Sequence, residues 1–94
     1  MFKKLSPLTY REITTGLKKL GFTLKRTTSS HEQWEKKDGS TKWLVTVDEH
    51  HSPFSRDLIK SMARQAGVNS KLFHALCKGA IGAAEVIGEE LSKE

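Results

Sequence analysis

The spacing of apolar positions along the chain passes from a helical period to a period of two and back again, and these switches predict the order of its elements. Thr9 and Glu12 stand at the spacing of a capping box, in which each side chain satisfies the other residue's free backbone N–H. Ile13, Leu17 and Leu20 then recur as one apolar stripe, with Arg11, Lys18 and Lys19 on the other face. Gly21 follows as the residue that ends the helix in a left-handed conformation. After it, Phe22 and Leu24 alternate with Thr23 and Lys25, which predicts a short strand with one buried face.

A second strand is predicted from His31 to Lys36, and Asp38-Gly39 is a hairpin signal because both residues tolerate positive φ. The third strand, "TKWLVTV", places Trp43, Val45 and Val47 on one face, and Trp34 is their natural cross-strand partner. Strand parity then sorts the second strand. With Trp34 inward, Glu32 and Lys36 share its side, whereas His31, Gln33 and Glu35 point to the opposite face. Beyond the polar loop "DEHHSPFS", Leu58, Ile59, Met62 and Ala66 predict a helix from about Ser55 to Ala66, terminated by Gly67. Helical spacing restarts at Asn69 or Ser70 with Leu72, Phe73 and Leu76. The expected fold is α+β: an α-β-β-β-α order, a three-stranded antiparallel sheet with helices on one face, and a C-terminal helical extension. The uncovered face should carry His31, with Lys25 and Thr27 of the first strand beside it.

The extension is expected to be separate in character. Residues 1–76 hold 14 Lys and Arg against 7 Asp and Glu, whereas residues 77–94 hold 2 against 4. We therefore divide the chain into a basic domain, 1–76, and an acidic tail, 77–94. The tail has Ile81, Ala84, Ile87 and Leu91 near helical spacing, but Gly79, Gly82 and Gly88 make an isolated helix marginal. It should act as an accessory segment, docking on the basic domain or on a partner. A basic body attracts polyanions by neutralising phosphates, which makes nucleic acid the leading partner class. A solvated basic surface without a ligand is the plainer alternative.

Other classes find little support. "MFKKLSPL" has no apolar run after its lysines, so neither a signal peptide nor a membrane anchor is expected. A single cysteine, Cys77, cannot form an intramolecular disulfide; it fits a reducing, cytoplasmic setting and reads as a small buried hydrophobe. His74 reads as a partly exposed helix residue. "DEHH", Asp48 to His51, contains metal-ligand residue types, but adjacent histidines diverge in an extended segment and no second ligand pair stands at zinc-like spacing. We expect no metal and no cofactor. Phosphate-cradling and serine-hydrolase motifs are absent. No pattern specifies an oligomeric state.

Three segments, "LTYREITTGLKKLGF", "SSHEQWEKKDGSTKWLVTV" and "LIKSMARQAGV", together resemble the HicA-type toxins of bacterial HicA/HicB toxin–antitoxin pairs. The resemblance runs over roughly residues 8–76. Its most specific elements are the Ser-His pair entering the second strand and the Arg-Gln-Ala-Gly that ends the second helix. It implies a fold like that of a double-stranded-RNA-binding domain, the same order reached above from periodicity. It also implies a metal-independent endoribonuclease acting on mRNA, a HicB-like antitoxin as partner, and a catalytic histidine that maps onto His31. The family's glycine before Ser-His is Ser29 here, and its loop proline near the later histidine is replaced in "DEHH".

On that reading His31 takes the proton from a ribose 2′-OH, whose oxygen attacks the adjacent phosphate. Lys25, Arg26, Lys36 or Lys42 would position the substrate and stabilise the phosphorane, and Ser30 would orient the histidine or the backbone. His50 or His51, or simply water, could carry the second proton. Two other readings use the same residues: a noncatalytic RNA-binding module, and a domain that only docks a partner protein.

Overall fold

Thr9 opens the first helix through the capping box expected of it. The Thr9 N–H donates to Glu12 Oε1 at 2.9 Å, and the Glu12 N–H donates to Thr9 Oγ1 at 3.2 Å. The computed structural model of the chain describes residues 5–86. Its elements are α1 (Tyr10–Lys19), β1 (Thr23–Thr28), β2 (His31–Asp38), β3 (Thr41–Asp48), a 3₁₀ turn (Glu49–His51), α2 (Arg56–Ala66) and α3 (Ser70–Lys78). The strands form one antiparallel sheet in the order β1-β2-β3. This is the predicted α-β-β-β-α order, an α+β fold like that of a double-stranded-RNA-binding domain.

The core lies between the sheet and the helices. Trp34, Val45 and Val47 supply the sheet's side of it, and Ile13, Leu17, Ile59, Phe73 and Leu76 supply the helical side. Each such side chain contributes about 1.5–3 kcal/mol on full burial. Gly16 permits the close meeting of α1 with α3, since a Cβ there would lie 2.4 Å from Cys77 Sγ. A Lys78–Glu12 ion pair at 3.3 Å ties the same two helices. Cys77 thus lies inside α3 and in the core, with its thiol pushed up to about 12 by burial. Residues 83–86 are helical and Val86 is fully buried in the same core. Ile87, Gly88 and Leu91 lie outside the described residues.

Three local expectations change. The hairpin turn is Gly39-Ser40, with Asp38 still in β2 and paired to Thr41. Only Gly39, at φ +61°, takes the left-handed conformation, as a two-residue turn with glycine first requires. Secondly, β1 buries no side chain, and Leu24 is 47% exposed. Leu24 does share the face of Trp34, its partner, but β1 is an edge strand and only an open groove separates it from α1. Thirdly, Leu58 is 36% exposed: the buried stripe of α2 is Ile59, Met62, Ala63 and Ala66, one step round the helix.

Ser29 and Ser30 form the short turn between β1 and β2, and Ser29 sits at φ +59°. The left-handed region costs a non-glycine residue about 1–2 kcal/mol, partly offset because glycine loses more chain entropy on folding. Ser29→Gly is therefore expected to stabilise the protein by about 0.5 kcal/mol, seen as a higher urea midpoint with an unchanged slope.

Candidate active site on the open face of the sheet

The uncovered face takes its residues from alternate positions of three strands, and a bulge decides which residues β1 contributes. The register between β1 and β2 shifts between Leu24 and Arg26, so that Arg26 pairs with Gln33, Thr27 with Glu32 and Thr28 with His31. Thr28, not Thr27, is therefore the neighbour of His31. An extra residue in an edge strand reverses the facing of every residue beyond it, and alternation alone cannot locate such an insertion.

On the other side of His31 stands Asp48, its direct partner in β3. His31 is exposed, its side chain at 61%, and its Nε2 lies 3.3 Å from Asp48 Oδ2. His51 Nε2 lies 3.5 Å from the same oxygen. The Ser30 side chain hydrogen-bonds the Asp48 carboxylate, and the His50 backbone N–H donates to Oδ1 at 3.0 Å. Asp48 is the N-cap of the 3₁₀ turn, which explains how one carboxylate reaches both histidines: the turn folds His51 back over the residue three positions earlier. The Glu49 N–H donates to the Ser30 carbonyl at 3.2 Å and fastens the turn to the entry of β2. The Ser30 hydrogen bond, the His50 N–H and the two imidazoles hold the Asp48 carboxyl below the usual carboxylate range. Among the described residues no three His, Cys, Asp or Glu side chains are arranged to hold a metal ion.

The predicted cations divide between two places. Lys25 and Lys42 both reach Glu35 Oε2 on the open face, at 2.9 and 3.1 Å, and lower its pKa. Arg26 shares the face of its partner Gln33 and hence of His31. Lys36 pairs with Trp43 on the opposite face, and its aliphatic stem passes near Gly21. His50 is exposed and approaches Asp48 through its backbone rather than its ring. His74 is half-buried, with Nε2 3.0 Å from the Ser6 carbonyl and 3.2 Å from its hydroxyl, remote from Asp48 in the fold.

Two arrangements behind the site explain motifs of the sequence. Buried Glu32 accepts from the Tyr10 hydroxyl and from Trp34 Nε1. Burial and this carboxylate push the Tyr10 phenol up to about 12. The Tyr10 N–H donates to Ser52 Oγ at 2.9 Å, which joins the start of α1 to the segment following His51. At the far edge of the sheet, the Thr46 N–H donates to Gln65 Oε1 at 3.0 Å, so α2 closes the exposed edge of β3. Gly67, at φ +76°, ends α2 against the Trp43 ring. These are the Gln and Gly of Arg-Gln-Ala-Gly.

Residues 10–68, more than half of the chain, match the family profile described as HicA toxin of bacterial toxin–antitoxin systems. The chain belongs to the HicA toxin family. The match begins with α1, contains the whole sheet and α2, and ends just beyond Gly67. Membership implies a cognate HicB antitoxin as partner. No curated protein and no solved structure matches the chain. Among the described residues no helix is long and apolar enough to cross a membrane.

Asp48 is the site residue that the sequence does not single out: within "DEHH" the histidines suggest proton carriers, whereas the aspartate reads only as a possible metal ligand. The available signal was the hairpin. A turn at Gly39-Ser40 places residue 31 opposite residue 48, whereas a turn at Asp38-Gly39 would place it opposite residue 46.

Proposed function

We propose that this HicA-family toxin is a metal-independent endoribonuclease that cleaves mRNA through His31, with His51 as the second proton carrier. The observation that carries the reading is the placement of both imidazoles on one carboxylate oxygen of Asp48, on the face of the sheet that no helix of the described residues covers. An imidazole held to a carboxylate through Nε2 favours the tautomer protonated there, leaving the Nδ1 lone pair for the substrate. His31 Nδ1 takes the proton of the ribose 2′-OH, and O2′ forms its bond to phosphorus. The bond from phosphorus to O5′ breaks, and protonated His51 gives its proton to the leaving oxygen. The products are a 2′,3′-cyclic phosphate and a 5′-hydroxyl. Because the nucleophile belongs to the substrate, cleavage should persist in excess EDTA. End-group analysis of a cleaved RNA oligonucleotide tests the reading. Binding without cleavage would leave a noncatalytic RNA-binding module, and hydrolysis to a 5′-phosphate would overturn the proposed chemistry.

Asp48 acts here as a positioning residue. Asp48→Asn keeps an acceptor for Ser30 and the His50 N–H but removes the charge that orders both rings. It is expected to lower kcat about 10–100-fold with little change in KM, and to alter the pH profile, which a merely structural role would leave in place. The pKa of Asp48 is lowered by folding, so its contribution is complete above the ordinary carboxylate range and is lost as pH falls through the lowered value. The wild-type acid limb should therefore carry a component that Asp48→Asn lacks.

Lys25 and Lys42 stand on the reacting face and Lys36 on the other. Removing either of the first two should weaken RNA binding and reduce the steepness of its salt dependence by about one unit, whereas Lys36→Ala should do so less. Equal effects from all three, measured by fluorescence anisotropy across a salt series, would place the RNA path elsewhere.

A further inference from the structure

Beside the two histidines lies a cavity of about 190 Å³, between the end of β3 and α2. Asp48 and His51 form its near wall, Thr46, Ser61 and Gln65 give it polar groups, and Leu58 forms an apolar flank. Phe54 and Met62 are the buried floor. Sites for drug-sized ligands run to about 300–1,000 Å³. This one suits a single planar ring. Its polar chemistry is directional: Gln65 Oε1 is committed to the Thr46 N–H, so the amide's Nε2 hydrogens are the groups it can offer a ligand.

We propose that this cavity is a nucleobase subsite, receiving one unpaired base next to the cleaved phosphate. The inference rests on the ribonuclease reading. Sequence-selective RNA recognition works mostly on unstacked bases, which need an apolar surface for the ring face and a few donors or acceptors for its edge. Leu58 supplies the first and the Gln65 amide with the Ser61 hydroxyl supply the second. A site that shares Asp48 and His51 with the proton-transfer groups must take the nucleotide flanking the scissile bond. The Gln65 donors match an acceptor on the base edge, either a ring carbonyl or an unprotonated ring nitrogen.

Leu58→Trp fills the space from an exposed position, and Gln65→Glu keeps the acceptor for Thr46 while replacing the donor. Wild type and both variants would be compared on an RNA pool randomised around one cleavage site. A uridine monophosphate titration, followed by NMR at the Gln65 side-chain amide, reads the cavity without cleavage. Wild type should show a base preference at one position flanking the cut. Leu58→Trp should flatten that preference and raise KM about tenfold with kcat within about twofold. Gln65→Glu should weaken that preference, because a carboxylate repels the acceptors to which the amide donates, and the nucleotide should shift the Gln65 amide of wild type. An unchanged cleavage profile and KM in both variants of an active enzyme overturn the subsite while leaving the ribonuclease reading intact. A Leu58→Trp variant that loses only antitoxin affinity assigns the cavity to the partner protein and overturns it equally. Failure of wild type to cleave sinks the ribonuclease reading, and an unshifted Gln65 amide in that case removes the subsite as well.

Discussion

His31→Ala is expected to lower RNA cleavage by about 10²–10⁴-fold, the span typical of a lost general base, and to abolish growth arrest on expression. The fold should be untouched. The side chain is largely exposed and adds nothing to the apolar core, so among the described residues the contact at risk is the one to Asp48. A surface pair of that kind is worth about 0–1 kcal/mol. The variant's unfolding free energy should stay within about 0.5 kcal/mol of wild type. Cleavage assayed in excess EDTA, alongside a urea denaturation curve, separates chemistry from stability. A folded His31→Ala chain that still cuts RNA or still arrests growth at the wild-type level would remove His31 from the mechanism, and with it the role given to Asp48.

Gly67→Ala carries the largest expected loss of stability. Two costs coincide at this residue. At φ +76° it occupies the left-handed region, and a Cβ there would lie 2.7 and 2.8 Å from carbons of the Trp43 ring. The ring is a rigid edge packed against the core, not the end of a flexible chain, so relief requires Trp43 or the end of α2 to move. The bond from the Val68 N–H to the Ala63 carbonyl, at 3.0 Å, closes the helix end and resists that movement. Left-handed strain and overpacking together predict a loss of about 2–4 kcal/mol. Urea denaturation followed by tryptophan fluorescence measures it, and a change in the native emission would locate the disturbance at Trp43. Wild-type stability would mean that the ring yields without cost.

Much of the scaffold is determined by local chemistry and is legible without coordinates. The Thr9–Glu12 capping box, the left-handed glycines at 21 and 67, the apolar stripes of three helices and the inward Trp34–Val45–Val47 set each depend on residues a few positions apart or on strict alternation. Parity likewise placed His31 on the exposed face and Glu32 on the buried one. Long-range facts were decided by the tertiary structure. A one-residue difference in the hairpin turn selects whether Thr46 or Asp48 faces His31, and either choice satisfies the same alternation of apolar residues. The bulge in β1 exchanged Thr27 for Thr28, at an edge strand too exposed for burial to mark its register. The meeting of His31 with His51 needed both the register and the fold-back of a 3₁₀ turn, so it joins residues whose spacing in the chain carries no periodic signal. The acidic character of the last eighteen residues is plain in composition, but the burial of Cys77 against Gly16 of α1, and of Val86 in the same core, is a property of the assembled fold, where apolar area removed from water outweighs charge that remains at the surface.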